Sequence, residues 1–330
     1  MRILMIGGTR FVGRHIAAAA LEAGHQLTVF HRGLTGPQLF PEVERRTGDR
    51  DGDLLKLSDG EWDATIDTCA YVPRHVHSLA DVLGTRAGHY LLISSVSAYA
   101  TPERAGFSED ARLAELDDPN VEEVTGDSYG GLKVLCERAA VDRFGPGSLI
   151  VRPTYVVGPD DYTWRFPWWV QRLARGGEVL APGPADSPAQ LIDGRDMASW
   201  IIGLLERKES GAFHAVGPPG PFTFADQLEA IRAAVAPAGT TLTWVDEGFL
   251  VAEGLDDASL PLWAGSDPGR LMMTADPAAA MRTGLRPRPL AATVQDTLEW
   301  LQGASGPERP GLDAEAEADL LARWHARQAG

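Results

Sequence analysis

Short, nearly unbroken apolar runs alternate along this chain with stretches in which apolar residues recur at helical spacing. The first run, Arg2 to Ile6, opens through Gly7-Gly8-Thr9-Arg10-Phe11-Val12-Gly13 into a helical stretch ending at Ala23. Gln26 to Phe30, followed by His31-Arg32, reads as the next strand. Continuous apolar runs of this length fit strands buried on both faces, the habit of parallel sheets covered by helices. Further strands are predicted near Val43 to Arg45, Ala64 to Asp67, Tyr90 to Ser94 and Leu149 to Arg152. Helices are predicted at Pro73 to Leu83, where the proline suits a first turn, and at Tyr129 to Arg143. The pattern is that of an α/β protein with a Rossmann-type, doubly wound parallel sheet.

From Val156 to Gly183 proline, glycine and aromatic residues become dense, and the chain is expected to leave the sheet and build a pocket wall. Gln190-Leu191-Ile192-Asp193 then leads into an apolar helix, Met197 to Leu205, and a strand at Phe213 to Val216. Helices near Phe224 to Val235 and Leu290 to Leu301 follow. The expected organisation is a dinucleotide-binding domain over 1–155 with a return segment at about 190–217. A smaller, discontinuous C-terminal substrate-binding lobe comes from 156–189 and 218–302, and a helical tail, packed or solvated, from 303–330. The polar, acidic stretch Thr101 to Asp127 fits a long loop beside a site.

Charge narrows the possible partners. The 330 residues hold 46 acidic and 30 basic side chains, a formal charge of -16, which on average repels a phosphate backbone or an anionic membrane. No nucleic-acid or membrane partner is expected. Met1-Arg2 leads directly into the first strand without a signal-peptide pattern, and no apolar run is long enough to span a bilayer, so a cytoplasmic protein is expected. Cys69 and Cys136 are the only cysteines, too few for a disulfide framework or a zinc set, and no metal site is predicted.

The glycine loop carries the first chemistry. A buried strand that opens through glycines into a helix brings backbone N–H groups and the positive end of the helix dipole to a pyrophosphate. The spacing is incomplete, with Arg10 where many such loops have a glycine, and a turn serving only close packing is the plainer alternative. Tyr129 and Lys133, four residues apart, fall on one helix face. A cation near a phenol lowers its pKa and fits it for proton transfer near neutral pH. Ser94-Ser95 ends a predicted central strand, where ligands of open parallel sheets sit, so a serine there can hold a substrate oxygen.

Together the loop Gly7 to Gly13, Asp49, Ser94-Ser95 with Tyr99, Tyr129/Lys133 and Arg152-Pro153 resemble the extended short-chain dehydrogenase/reductase family. So do Val157-Gly158-Pro159, Asp193-Gly194-Arg195-Asp196 and Gly284-Leu285-Arg286-Pro287, and the resemblance runs over about residues 1–302. It implies an NAD(P)-dependent enzyme, like the epimerases and dehydratases of that family, in a subgroup with a Gly-Gly-Thr-Arg-Phe loop. Ser95, Tyr129 and Lys133 would form the catalytic set. Gly7, Thr9, Arg10, Phe11, Val12, Gly13, Arg32, Asp49, Arg50, Lys133, Pro153 and Thr154 would hold the cofactor, with Pro153-Thr154 near the nicotinamide. Members of the family commonly pair as dimers through helices matching Pro73 to Leu83 and Tyr129 to Arg143, so a homodimer is expected.

Three departures refine this. The second strand ends in His31-Arg32, where NAD-selective members carry an aspartate; the planar fork of Arg32, with Arg10, suits the extra phosphate of NADP, which is preferred over NAD here. Arg32 stacking on adenine or pointing to solvent is the alternative. Epimerases of the family carry a phosphate-clamping arginine where this chain has Ala189, so a nucleotide sugar is disfavoured unless Arg165, Arg172 or Arg175 substitutes. Ser97, Tyr155, Trp164 and Trp168 are candidates for a substrate pocket suited to an apolar ketone, unless the aromatic residues instead pack between the lobes. The leading expectation is an NADP(H)-dependent reductase or dehydrogenase of a small-molecule carbonyl or secondary alcohol. An NAD(P)-dependent sugar epimerase or dehydratase, and a non-catalytic NADP-sensing or RNA-associated protein, are the alternatives.

Overall fold

A computed structural model describes residues 1–266, 268–304 and 311–330. The elements of the first half are β1 (Arg2–Ile6), α1 (Phe11–Glu22), β2 (Gln26–His31), β3 (Glu44–Thr47), β4 (Ala64–Asp67), α2 (Pro73–Leu83), β5 (His89–Ile93), α3 (Gly126–Phe144) and β6 (Leu149–Pro153). There follow β7 (Tyr155–Val157), α4 (Arg165–Arg175), β8 (Glu178–Pro182), β9 (Leu191–Asp193), α5 (Gly194–Glu206) and β10 (Gly211–Ala215). The last are α6 (Phe224–Val235), β11 (Thr241–Val245), α7 (Glu247–Ala252), α8 (Ala278–Arg282), α9 (Leu290–Gly303) and α10 (Ala314–Ala329).

Seven strands form one parallel sheet in the order β10-β6-β5-β4-β1-β2-β3. The order reverses between β1 and β4, where an open sheet leaves a crevice at its carboxyl edge. Register brings those edges level: Ile6 stands beside Phe30 on one side and Asp67 on the other. Alternation then splits the strands between two cores. Ile3, Met5, Leu91, Ile93 and Val151 face one side, against Ile16 and Ala20 of α1 and Ile201 and Leu205 of α5. Leu4, Ile6, Tyr90 and Leu92 face the other, against Val76 and Leu79 of α2 and Cys136 and Ala140 of α3. The ends of α3 are well specified: Thr125 and Ser128 form a reciprocal capping box at its start.

The return segment divides its strands. β10 joins the sheet edge beside β6, whereas β9 pairs with β7, with Val157 beside Asp193. A second core gathers Trp168, Trp169 and Leu173 of α4, Leu228 and Ile231 of α6 and Val294 of α9 around the β8–β11 pair. The tail is packed: Leu320 and Leu321 of α10 are buried in that core, and the Glu317 carboxylate binds Arg172 Nε at 2.5 Å and Leu180 N at 3.0 Å. Among the described residues no helix is long and apolar enough to cross a membrane.

Candidate active site

A groove of about 680 Å³ runs along the carboxyl edge of the sheet. Every residue expected at the cofactor or catalytic site lines it, as do Ser97 and Tyr155; Trp164 and Trp168 do not. Its floor begins at Gly7 and Gly8, with φ of 102° and 101°, a region side chains resist. A Cβ on Gly7 would lie 2.2 Å from Thr68 Oγ1, and one on Gly13 would lie 2.7 Å from Gly8 N. Gly13 is therefore what lets α1 press against the loop. No side chain caps α1; Gly13 N donates to the Arg10 carbonyl at 3.1 Å, and the N–H groups of Phe11 and Val12 are left for an anion.

At the β2 end, burial holds the His31 imidazole below its ordinary pKa, assisted by Arg45, so the ring is neutral near pH 7. Its Nδ1 accepts from Gly33 N at 3.2 Å, while the buried Nε2 has no partner. Arg32 is exposed and forms no ion pair among the described residues. Arg10, expected beside Arg32 at an extra phosphate, is exposed on the same groove. Its guanidinium carbon sits 3.3 Å from the ring centre of Tyr162, across the groove. The Tyr162 loop is fastened to α1 by Arg14 on Asp160 at 2.5 Å and by His15 Nε2 and the Pro159 carbonyl at 2.9 Å.

Asp49 shapes a turn, accepting from Asp51 N at 2.9 Å, and Arg50 is largely committed to the protein. It grips the fully buried Asp67 through both terminal nitrogens at 3.0 Å and donates to the His75 carbonyl at 3.0 Å. Burial works to raise the Asp67 carboxyl, but Arg50 outweighs it and leaves the group below the usual carboxylate range. Cys69, half-buried beside this pair, has its thiol pushed up to about 11 by desolvation and the Asp67 charge.

At the opposite end α3 brings Tyr129 to Ser95. The approach is possible because Gly130 has no side chain: a Cβ there would lie 2.2 Å from the Ser97 carbonyl oxygen. Nothing in the spacing of Tyr129 and Lys133 pointed to that requirement. Ser95 Oγ accepts from Ser97 N and donates to Ser97 Oγ, each at 3.1 Å. Burial raises the Tyr129 phenol, and a hydrogen bond with Ser95 offsets part of the rise. The Lys133 ammonium is fully buried and donates to the carbonyls of Ala70 at 2.9 Å and Ile93 at 2.7 Å, and burial lowers its own pKa. The lysine thereby also joins the chain just beyond β4 to the end of β5.

Behind Ser95 lies a buried polar chain. Ser94 Oγ donates to Glu137 Oε1 at 2.5 Å, and Arg152 binds both Glu137 oxygens at 3.0 and 2.6 Å. Arg152 also donates to Tyr99 OH at 2.5 Å, which lies 2.7 Å from His214 Nε2. Glu137 and His214 had no sequence signal, although Glu137 falls one turn beyond Lys133 on the same helix face.

The aromatic residues behave differently from the pocket reading. Trp164 is buried at φ 60° against Trp300, with ring centres 5.8 Å apart, and Trp168 packs edge-on to Trp169 at 4.6 Å in the second core. Helix α4 turns these indoles inward, away from the groove. Arg172 is likewise removed from any clamping role by its buried pair with Glu317. Thr154 Oγ1 is buried in the groove without a partner. With His31 Nε2 at the other end, it leaves two hydrogen-bonding atoms for a long, polar ligand.

This geometry can be set beside known proteins. The UDP-glucuronic acid 4-epimerase of Bacillus cereus, in complex with NAD, superposes with a TM-score of 0.66 at 16% identity, over 92% of this chain and 99% of that one. The Bordetella bronchiseptica enzyme WbmG, in complex with NAD and UDP, gives 0.68 at 17% identity, over 93% and 99%. This chain has the fold of these enzymes. The dehydratase TunA, of the NAD-dependent NDP-hexosamine 5,6 type and involved in tunicamycin biosynthesis, shares the same epimerase fold, at 0.67 and 18% identity over 92% and 98%. In sequence, the chain is 25% identical over 226 residues to the chloroplast stem-loop binding protein of 41 kDa b of Arabidopsis thaliana. That match takes in 63% of this chain and spans 56% of the length of the plant protein. No protein-family model matches the chain.

Proposed function

We propose that the chain is an NADP(H)-dependent oxidoreductase of the extended short-chain dehydrogenase/reductase type. It interconverts a carbonyl and a secondary alcohol on a small molecule, in the cytoplasm and as a homodimer. One observation carries the reading: a single groove joins the glycine cradle, a β2 end that offers Arg32 and no carboxylate, and the Tyr129 phenol with Ser95. The fold shared with NAD-bound enzymes supports a nicotinamide dinucleotide.

When bound, the dinucleotide supplies or accepts the hydride. Ser95 turns its one proton from Ser97 Oγ to the substrate oxygen, while the Ser97 N–H keeps hold of the Ser95 oxygen. Tyr129 Oη gives its proton to that oxygen in reduction and takes it back in oxidation. Together the two hydroxyls stabilise the developing oxyanion. Lys133 holds the strand ends that frame the site and offers its remaining N–H to a ribose hydroxyl.

The test is turnover with the nucleotide counted. Purified protein should consume NADPH with equimolar formation of alcohol from a carbonyl panel. Stoichiometric bound NAD that drives turnover with no net redox change would establish the epimerase or dehydratase reading, which the named neighbours favour. The plant relative favours a third reading, association with an RNA stem-loop. It predicts retention of structured RNA on the protein at physiological salt, which the charge of -16 opposes.

A further inference from the structure

Four arginines that reach the interior of this protein meet carboxylates, Arg50 on Asp67, Arg152 on Glu137, Arg172 on Glu317 and Arg195 on Asp193, and the half-buried Arg45 and Arg86 are satisfied by backbone carbonyls. Arg165 has neither kind of partner among the described residues. It is half-buried at the first position of α4, its Nε donates to Thr163 Oγ1 at 3.2 Å, and its guanidinium carbon lies 4.8 Å from the ring centre of Tyr155. Among the described residues no carboxylate forms an ion pair with it. The neighbouring Asp161 is occupied by Thr163, accepting from N at 2.9 Å and from Oγ1 at 2.6 Å.

Helix architecture does not account for the position, because a cation in the first turn opposes the helix dipole. The Asp161 charge acts on Arg165 only across the Thr163 hydroxyl, so the half-buried guanidinium has no carboxylate in direct contact. What the position does supply is a charge at the reacting end of the groove. Arg165 shares the groove lining with Ser95 and Tyr129, and its charge opposes the rise that burial imposes on both Tyr129 and Tyr155. Thr154, next to Tyr155, adds its unpartnered hydroxyl. The other groove cations are engaged or distant: Lys133 on carbonyls, Arg50 on Asp67, Arg10 on Tyr162, and Arg32 at the β2 end.

We infer that Arg165 is the anion receptor of the substrate site, and that the site takes a carbonyl compound bearing a carboxylate or phosphate, held by the open edge of the guanidinium. Stacking on Tyr155 fixes the plane of the fork and leaves its terminal nitrogens for a planar or tetrahedral oxyanion. The substrate class rests on the oxidoreductase reading; the anion site does not require turnover.

The test is binding to the full-length protein, with and without saturating NADPH, followed by intrinsic fluorescence and calorimetry. The probes are benzoate, its neutral analogue benzamide, and inorganic phosphate. Benzoate (for a carboxylate substrate) or phosphate (for a phosphorylated one) should bind at least about tenfold more tightly than benzamide. Arg165→Met should erase that preference and leave NADPH affinity unchanged, and Arg165→Lys should retain part of it. The inference is overturned if neither anion outbinds benzamide, or if the preference survives Arg165→Met. It is overturned equally if Arg165→Met weakens NADPH as much as the probe, since the anion recognised would then be the dinucleotide's own. Should the methionine variant not fold, unchanged anion affinity in Arg165→Lys would count against the role. If the anion preference and its loss are seen but no carbonyl is reduced, the anion site stands and the oxidoreductase reading falls.

Discussion

Burial sets the working range of Tyr129. Its phenol is raised above the ordinary value, so the group stays protonated through neutral and mildly alkaline pH. Carbonyl reduction, which needs the protonated phenol, should therefore hold level across that range and fall only above it, whereas alcohol oxidation, which needs phenolate, should climb with pH; stopped-flow pH profiles in both directions check the sign. Tyr129→Phe should lower kcat by about 10²–10⁴-fold with NADPH affinity retained. Glu137 makes a separate claim, on stability. Its pair with Arg152 is almost fully buried, and Glu137→Ala leaves an uncompensated guanidinium, so urea unfolding should show a loss of about 3–5 kcal/mol. Asp67 adds an acid limit: its folded-state pKa lies below the unfolded one, so its stabilisation is complete above the unfolded value and disappears as pH falls through the folded one.

At the scale of elements, Gly13 joins α1 to the glycine loop. Gly13→Ala puts a Cβ 2.7 Å from Gly8 N and 2.9 Å from its Cα, backbone atoms that cannot swing aside. The helix should shift outward, costing about 1–3 kcal/mol of stability and weakening dinucleotide binding far more than Gly147→Ala, where nothing lies within 4 Å and φ is not positive; paired thermal melts and nucleotide titrations read both. The strands and helices of the sheet were largely legible: Pro73–Leu83, Ala64–Asp67 and Phe224–Val235 fall where periodicity and the N1 proline put them. The short strands β7, β8 and β11 were not, because each is defined by a partner distant in sequence and lies among prolines and glycines that read as loop. The site was legible in its membership, less so in its contacts. Arg50, Lys133 and Trp168 carry the residue types a ligand site needs, and only tertiary placement shows that Arg50 and Lys133 chiefly bind the protein itself and that Trp168 packs in a core.

For the molecule as a whole, the loop carrying Tyr162 closes one side of the groove by stacking on Arg10. The outer faces of α2 and α3 are the expected dimer surface, so light scattering at low micromolar concentration should return twice the 35.5 kDa chain mass; a single-chain mass would remove the homodimer. The central claim is that this groove holds NADP(H), selected at its β2 end by Arg32. Its most direct test is a fluorescence titration of the protein and of Arg32→Ala with NADPH and NADH. The account predicts NADPH binding at least about tenfold tighter than NADH, with the gap closing in the variant through loss of NADPH affinity alone. Equal affinities in the parent protein, or an equal loss for both nucleotides in Arg32→Ala, would contradict it.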